Sequence, residues 1–124
     1  MHHVRWLAEP EEHDYPAATD YLELVLPRAV AEEVTQRLRS APLVAKKAKD
    51  VLRASGLEPL GADNVHVAKD LHKIHEDEAL SPVLLVRGDA RSGAPLVIAD
   101  GYHRICAVHL VDEDAEVPCR LADL

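Results

Sequence analysis

The chain has 124 residues, of which 48% are hydrophobic and 29% charged, and its formal net charge is −8. This length predicts one domain around one core, and the negative charge argues against non-specific binding to nucleic acid, whose phosphates it repels. The two cysteines are not in a C-x-x-C arrangement, which indicates reduced thiols, and no apolar run reaches the length of a membrane helix. We therefore expect a cytoplasmic protein without membrane contact.

In the first half of the chain, the residue pattern changes from aperiodic to periodic near residue 20. Residues 1–19 hold two prolines and an acidic run without periodicity, which predicts an N-terminal arm on a single domain spanning residues 20–124. Alternating side chains predict a half-buried strand over Asp20–Leu26, with the leucines inward. Apolar residues at every fourth position predict a helix over Arg28–Arg39, and a second helix is expected over Pro42–Ala54.

The second half of the chain predicts most of the sheet. Apolar spacings of three and four indicate a third helix over Val65–Leu80. Pro82–Arg87 is an apolar run typical of a strand buried on both faces, and Pro95–Ala99 returns from a glycine-containing turn to form a hairpin with it. A helix ending near Val111 and a strand over Glu116–Leu121 follow. The expected fold is α+β, with a small mixed β-sheet packed with four or so helices.

The stretch Asp100-Gly101-Tyr102-His103-Arg104 joins the predicted hairpin to the helix that follows. At a helix N-terminus, backbone N–H groups without partners and the positive end of the helix dipole attract anions. His103 and Arg104 add two basic side chains in the first turn, and an arginine can bind phosphate through two parallel N–H donors. The turn is therefore predicted to bind an anion, and phosphate is the expected one.

The order of hairpin, Gly-x-His-Arg helix and final strand resembles the ParB/sulfiredoxin fold, and in particular the N-terminal domain of ParB-like proteins. In that family the helix after the hairpin begins with Gly-Glu-Arg-Arg in ParB proteins and with Gly-Cys-His-Arg in sulfiredoxins, and an alanine stands six residues after the glycine. The glycine, the basic pair and the alanine keep their register in this chain, which reads Gly101-Tyr102-His103-Arg104-Ile105-Cys106-Ala107. The resemblance covers residues 65–121.

The resemblance implies that Gly101, Tyr102, His103 and Arg104 bind the phosphates of a nucleotide, with ATP, ADP or CTP and Mg²⁺ as the expected ligands. Members of the family hydrolyse the nucleotide, transfer phosphate to free serine or reduce an oxidised peroxiredoxin. Tyr102 stands where sulfiredoxins have their catalytic cysteine, so peroxiredoxin repair is not expected here. No helix-turn-helix segment follows within the 124 residues, so the DNA clamping of ParB proteins is not expected either.

No spacing selects a catalytic residue, and the candidates for a carboxylate base are Asp100 and Glu76. Asp100 has an alternative role as the N-cap of its helix or as a turn residue. The secondary candidates for phosphate contact are Lys69, His72, Lys73 and His75. The two histidines also share a helix face, as in a partial metal site, but no further ligand stands at a diagnostic spacing and a metal is not predicted.

Two functions remain open on the sequence. The first is a small ParB-like protein that binds a nucleotide or another phosphate ligand at the Asp-Gly-Tyr-His-Arg turn, with phosphotransfer or nucleotide hydrolysis as the candidate reaction. The alternative is a non-catalytic protein-interaction module that keeps the fold and uses its acidic surface or its N-terminal arm. The sequence predicts no oligomeric state.

Overall fold

The computed structural model describes residues 3–124, which form five α-helices and four β-strands in a mixed α+β fold. The elements in chain order are α1 (Asp14–Leu22), α2 (Arg28–Ser40), β1 (Leu43–Lys47), α3 (Ala48–Ser55), α4 (Val65–His75), β2 (Val83–Val86), β3 (Val97–Asp100), α5 (Tyr102–Val111) and β4 (Glu116–Ala122). The first two residues of the predicted N-terminal arm lie outside the described residues.

The strands form one sheet in the order β1-β4-β2-β3. Strand β4 pairs antiparallel with β1 and parallel with β2, and β2 pairs antiparallel with β3. The mixed sheet and the β2–β3 hairpin are therefore confirmed. The helix after the hairpin and the final strand are also confirmed, since α5 ends at Val111 and β4 covers the predicted segment.

Helices cover both faces of the sheet, and strand β2 lies between two cores. Val83 and Leu85 belong to the core that contains side chains of α3, α4 and α5, whereas Leu84 and Val86 belong to the core under α1 and α2. Because successive side chains of a strand point to opposite faces, a strand covered on both sides needs an uninterrupted apolar run. The prediction that this strand is buried on both faces is confirmed.

The strand predicted over Asp20–Leu26 is wrong, because the first three residues of that segment end α1 and the remaining four form a turn. The buried residues of α1 recur at helical spacing, namely Tyr15, Ala18, Thr19 and Leu22. Leu24 is 78% exposed, so the alternating leucines have no common inward face. Pro16 lies in the first turn of α1, where a missing N–H group needs no partner. The boundary predicted between arm and domain, at residues 19 and 20, falls inside this helix.

The helix predicted over Pro42–Ala54 is wrong in its first half, which forms β1 and pairs with β4. All five residues of β1 are exposed, so its conformation is set by backbone pairing to a distant strand and leaves no apolar pattern in the sequence. The second half is α3, and Gly56 ends it in the left-handed conformation expected of a helix C-terminus.

Helix α4 ends five residues earlier than predicted. Its last helical residue is His75, and Asp77 adopts a positive φ of 59° that turns the chain away. Leu80 instead pairs with the N-terminal segment, where its carbonyl accepts from the Leu7 N–H at 2.8 Å and its N–H donates to the Arg5 carbonyl at 2.8 Å. This pairing brings the residues just before α1 beside the start of α5.

Candidate functional site

A cleft of about 250 Å³ opens at the start of α5, and we call it the α5 cleft. Its lining comes from four places: Asp100, Gly101, Tyr102, His103 and Arg104 at the β3–α5 turn; His66, Lys69, Asp70 and Lys73 on α4; Glu11 and His13 before α1; and Ala79, Leu80 and Ser81 before β2. All five residues of the predicted anion-binding turn therefore face one cleft, together with charged side chains from two other parts of the chain.

The structure brings some of the secondary candidates to this cleft and not others. Lys69 and Lys73 line it, whereas His72 on α4 and Glu76 just after it are exposed and are absent from its lining within the described chain. His75 borders a separate cleft at the far end of α4, with Leu71, Ile74 and Val111. The carboxylate candidates are thus separated, with Asp100 inside the α5 cleft and Glu76 outside it.

Gly101 is required by the packing of the protein itself. Its φ is +105°, and a Cβ atom there would lie 2.4 Å from Val83 Cγ1 and 2.8 Å from Arg104 Nη2. A side chain at this position would therefore collide with the core and with the cleft wall. The glycine of the motif is explained by these contacts, without a phosphate that needs close approach to the backbone.

The two helices beside the cleft begin in different ways. Asn64 caps α4, since its side chain accepts from the N–H groups of His66 and Val67 at 2.9 and 3.1 Å. Helix α5 has Gly101 at its N-cap and no side-chain cap. The N-cap role considered for Asp100 is therefore wrong, and the first N–H groups of α5 have no intrahelical acceptor.

Arg104 is already bound by two carboxylates. Its Nη2 donates to Asp100 Oδ2 at 2.8 Å and lies 3.7 Å from Asp14 Oδ2, while its Nε is buried without a hydrogen-bond partner among the described residues. The Asp14 side chain is 4% exposed and also accepts from the Ser81 hydroxyl. Burial raises the pKa of Asp100, and the charge and hydrogen bond of Arg104 oppose this shift. Arg104 thus joins α1, β3 and α5 through charge.

Basic side chains of α4 and α5 surround Asp70. Burial raises the pKa of the Asp70 carboxyl, and the charges of Arg104, Lys73 and His103 act against this shift. The His103 ring lies 4.7 Å from the His66 ring, measured between centroids, at an interplanar angle of 43°. Burial lowers the pKa of His103, and the neighbouring His66 and Arg104 lower it further against the opposing charge of Asp70.

The side chains of Tyr102 and Cys106 form hydrogen bonds with the loop before α4. The Tyr102 hydroxyl donates to the Glu58 carbonyl, which fastens the loop before α4 to the start of α5. Cys106 is buried, burial raises the pKa of its thiol, and its sulfur accepts from the Leu60 N–H at 3.4 Å. A buried thiol with a raised pKa is a poor nucleophile.

One cluster at the mouth of the cleft has the residue types of a metal site. The ligating atoms of Glu11, His13 and Asp14 lie within 4.8 Å of one another. His13 Nε2 is 3.0 Å from Glu11 Oε2 and 3.4 Å from Asp14 Oδ1. A hydrogen bond from the imidazole to a carboxylate accounts for these distances without an ion, and no metal is assigned to the cluster.

Two groups of residues that line the cleft were not predicted from the sequence. His66 and Asp70 were not among the predicted contacts, but together with the predicted Lys69 and Lys73 they stand at spacings of three, four and seven from His66, which places all four on one face of α4, and this signal was present in the sequence. Glu11, His13 and Ser81 reach the cleft through the pairing of the N-terminal segment with Leu80, a long-range contact that no local pattern predicts.

Comparison of the chain with protein-family models, with curated proteins and with solved structures found no match. The resemblance to ParB/sulfiredoxin proteins therefore stays a prediction. Within residues 3–124, none of the helices combines the length and the apolar character needed to cross a membrane.

Proposed function

We propose that the α5 cleft binds a small phosphate-bearing ligand, such as ATP, ADP or CTP with Mg²⁺, in a protein of the ParB/sulfiredoxin type. One observation carries this proposal: the uncapped start of α5 faces a cleft that is also lined by Lys69, Lys73 and His103. Free N–H groups at a helix start, the positive end of its dipole and nearby ammonium groups are the donors that a phosphate requires.

The character of the cleft supports a small charged ligand over an apolar one. Pockets for drug-sized apolar molecules have volumes of roughly 300–1,000 Å³ and mostly hydrophobic walls. The α5 cleft has about 250 Å³, and most of its lining side chains are charged or polar. This volume accommodates a phosphate group and the part of the ligand next to it, and leaves the rest of a nucleotide in the open mouth.

Phosphotransfer or nucleotide hydrolysis is the chemistry we propose for this cleft. Phosphoryl transfer needs positioning and charge neutralisation, which the lysines and the α5 N-terminus supply, and a carboxylate that orients the attacking hydroxyl or water. Asp70 and Asp100 both lie in the cleft, and burial raises the pKa of each. Glu76 is outside the cleft, so these two aspartates are the candidates for that role.

A thermal-shift screen tests the binding. Phosphate, ATP, ADP, CTP and GTP are each added with and without Mg²⁺, and a ligand at a hundred times its Kd should stabilise the fold by about 2.7 kcal/mol. For a domain of this size, such a gain raises Tm by roughly 10 °C. The double variant Lys69→Ala/Lys73→Ala should lose most of this shift, whereas Lys46→Ala, which removes an exposed lysine of β1, should keep it. Binding that survives the double variant would contradict the assignment of the cleft.

The alternative function, a non-catalytic interaction module, is favoured by the pairing of Arg104 with Asp14 and Asp100. This pairing keeps the motif arginine occupied inside the protein, and the overall charge of −8 suits a basic partner. The two functions differ in one measurement, since the module predicts no thermal shift with any of the phosphate ligands. Release of phosphate from a bound nucleotide, lost in Asp70→Asn or Asp100→Asn, would establish the catalytic form of the first.

A further inference from the structure

The fixed charges of the α5 cleft give it no net positive charge, since its lining holds as many carboxylates as cations and Asp14 Oδ2 lies behind it, 3.7 Å from Arg104 Nη2. Three permanently cationic side chains line it, namely Lys69, Lys73 and Arg104, and three carboxylates line it with them, namely Glu11, Asp70 and Asp100. Three histidines also line the cleft, namely His13, His66 and His103, and histidine is the side-chain type whose charge changes most readily near neutral pH. The protonation of these rings therefore decides whether the cleft has a net positive charge that attracts an anion.

Two of the three histidines interact directly across the cleft. His66 is the second residue of α4 and His103 is the second residue of α5, and their ring centroids are 4.7 Å apart. The far ends of the same helices also lie together, since His75 and Val111 border one cleft there. The helices thus run side by side in the same direction, and their two positive dipole ends add to the repulsion between protonated rings.

The groups around His103 come from every element that borders the cleft. They are His66, Lys69, Asp70 and Lys73 on α4, Tyr102 and Arg104 on α5, Asp100 at the end of β3, and Glu11 and His13 before α1. Burial, His66 and Arg104 lower the pKa of His103, and Asp70 opposes them. Without a ligand, these surroundings favour the neutral ring, and an added negative charge in the cleft would favour its protonation.

We propose that an anion entering the α5 cleft brings a proton with it, which the His103 ring takes up beside the neighbouring His66 ring. This inference rests on the phosphate-binding function and adds its regulation by pH. The bound anion offsets the repulsion between the rings, and one ring then donates a charge-assisted hydrogen bond to it. By linkage, the affinity for the anion rises as the pH falls through the pKa of His103 in the complex, and becomes constant below its pKa in the free protein.

Sulfate is the probe that tests this coupling, because its own charge is constant over the range in which histidine titrates, about pH 5.5 to 8. Isothermal titration calorimetry gives its Kd across this range, and buffers of different ionisation enthalpy give the number of protons taken up. For one coupled proton, the Kd should rise by up to about tenfold per pH unit between the pKa of His103 in the free protein and its pKa in the complex, and should be constant outside this range. Sulfate binding with a constant Kd and no proton uptake would overturn the inference.

Variants assign the proton to its residue. His103→Asn should flatten the pH dependence, His66→Asn should shift it to higher pH because one lowering influence on His103 is removed, and the exposed His3→Asn should match the original protein. NMR titration of the two rings with and without sulfate gives the same answer in the unmutated protein, where a pKa of His103 unchanged by bound sulfate refutes the coupling. Failure of sulfate and phosphate to bind at any pH would instead refute the phosphate-binding function itself.

Discussion

Replacing Gly101 by alanine tests whether the glycine of the motif is required by the protein's own packing. A Cβ atom there would lie 2.4 and 2.9 Å from Cγ1 and Cβ of Val83 and 2.8 Å from Arg104 Nη2, and φ is +105°. Overpacking a core costs about 1–3 kcal/mol, and a side chain in a strained positive-φ conformation costs about 1–3 kcal/mol more. Gly101→Ala should therefore lower the free energy of unfolding by about 2–6 kcal/mol, measured by urea denaturation.

Gly56 offers a matched control for this substitution. It also has a positive φ, +71°, but a Cβ atom there would meet no heavy atom within 4 Å. Gly56→Ala should therefore lower the free energy of unfolding only by the cost of the positive-φ backbone conformation, about 1 kcal/mol. The difference between the two variants isolates the collision with Val83, and Val83→Ala made in the Gly101→Ala background should show a favourable coupling energy. Equal losses at the two glycines would refute the packing argument.

Three further predictions concern charge and burial. Arg104→Met should lower the free energy of unfolding by about 3 kcal/mol, because Asp14 and Asp100 lose their cation, and urea denaturation with an unchanged midpoint would contradict this. Asp70→Asn should raise the free energy of unfolding near neutral pH, because burial raises the pKa of Asp70 and so makes its ionised form unfavourable in the folded protein. This gain in stability should vanish as the pH falls toward 3.8, and a gain that is independent of pH would contradict the argument. Cys119 should resist alkylation in the folded protein, because burial raises its pKa to about 11, and labelling as fast as in urea would disprove its burial.

The elements with the strongest patterns were predicted from the sequence, and the others depended on distant partners. The apolar run of β2 and the four-residue spacing of α2 reflect burial in the cores on the two faces of the sheet, so they are visible in the residues themselves. Strand β1 is exposed at every position and exists because β4 offers it backbone hydrogen bonds. The alternation at Asp20–Leu26 was misleading because only Leu22 of its leucines is buried in a helix, which starts six residues before the segment, whereas Leu24 is exposed in the turn that follows.

The candidate site was also predicted only in part from the sequence. The turn at Asp100–Arg104 and the lysines of α4 were expected near each other, and all of them line the cleft. The pairing of Arg104 with Asp14 could not be predicted, because it joins the first helix to the last and needs the fold to be known. His66 was recoverable from its spacing on α4, but only the structure shows that its ring lies against His103.

The position of Arg104 separates its role from that of the lysines. A phosphate that bound mainly to Arg104 would have to compete with Asp100 for it. It would also leave the nearly fully buried Asp14 without its cation, which would cost several kcal/mol of stability. The carboxylate on which Lys73 and Lys69 act is Asp70, which is only partly buried, so their reorientation toward an anion carries a smaller penalty. Arg104 is thus better suited to hold α1 and the N-terminal segment against the cleft, while Lys69, Lys73 and His103 contact the ligand. In that arrangement Asp14 and Asp100 neutralise the charge of Arg104, and a proton on His103 supplies positive charge that faces the anion.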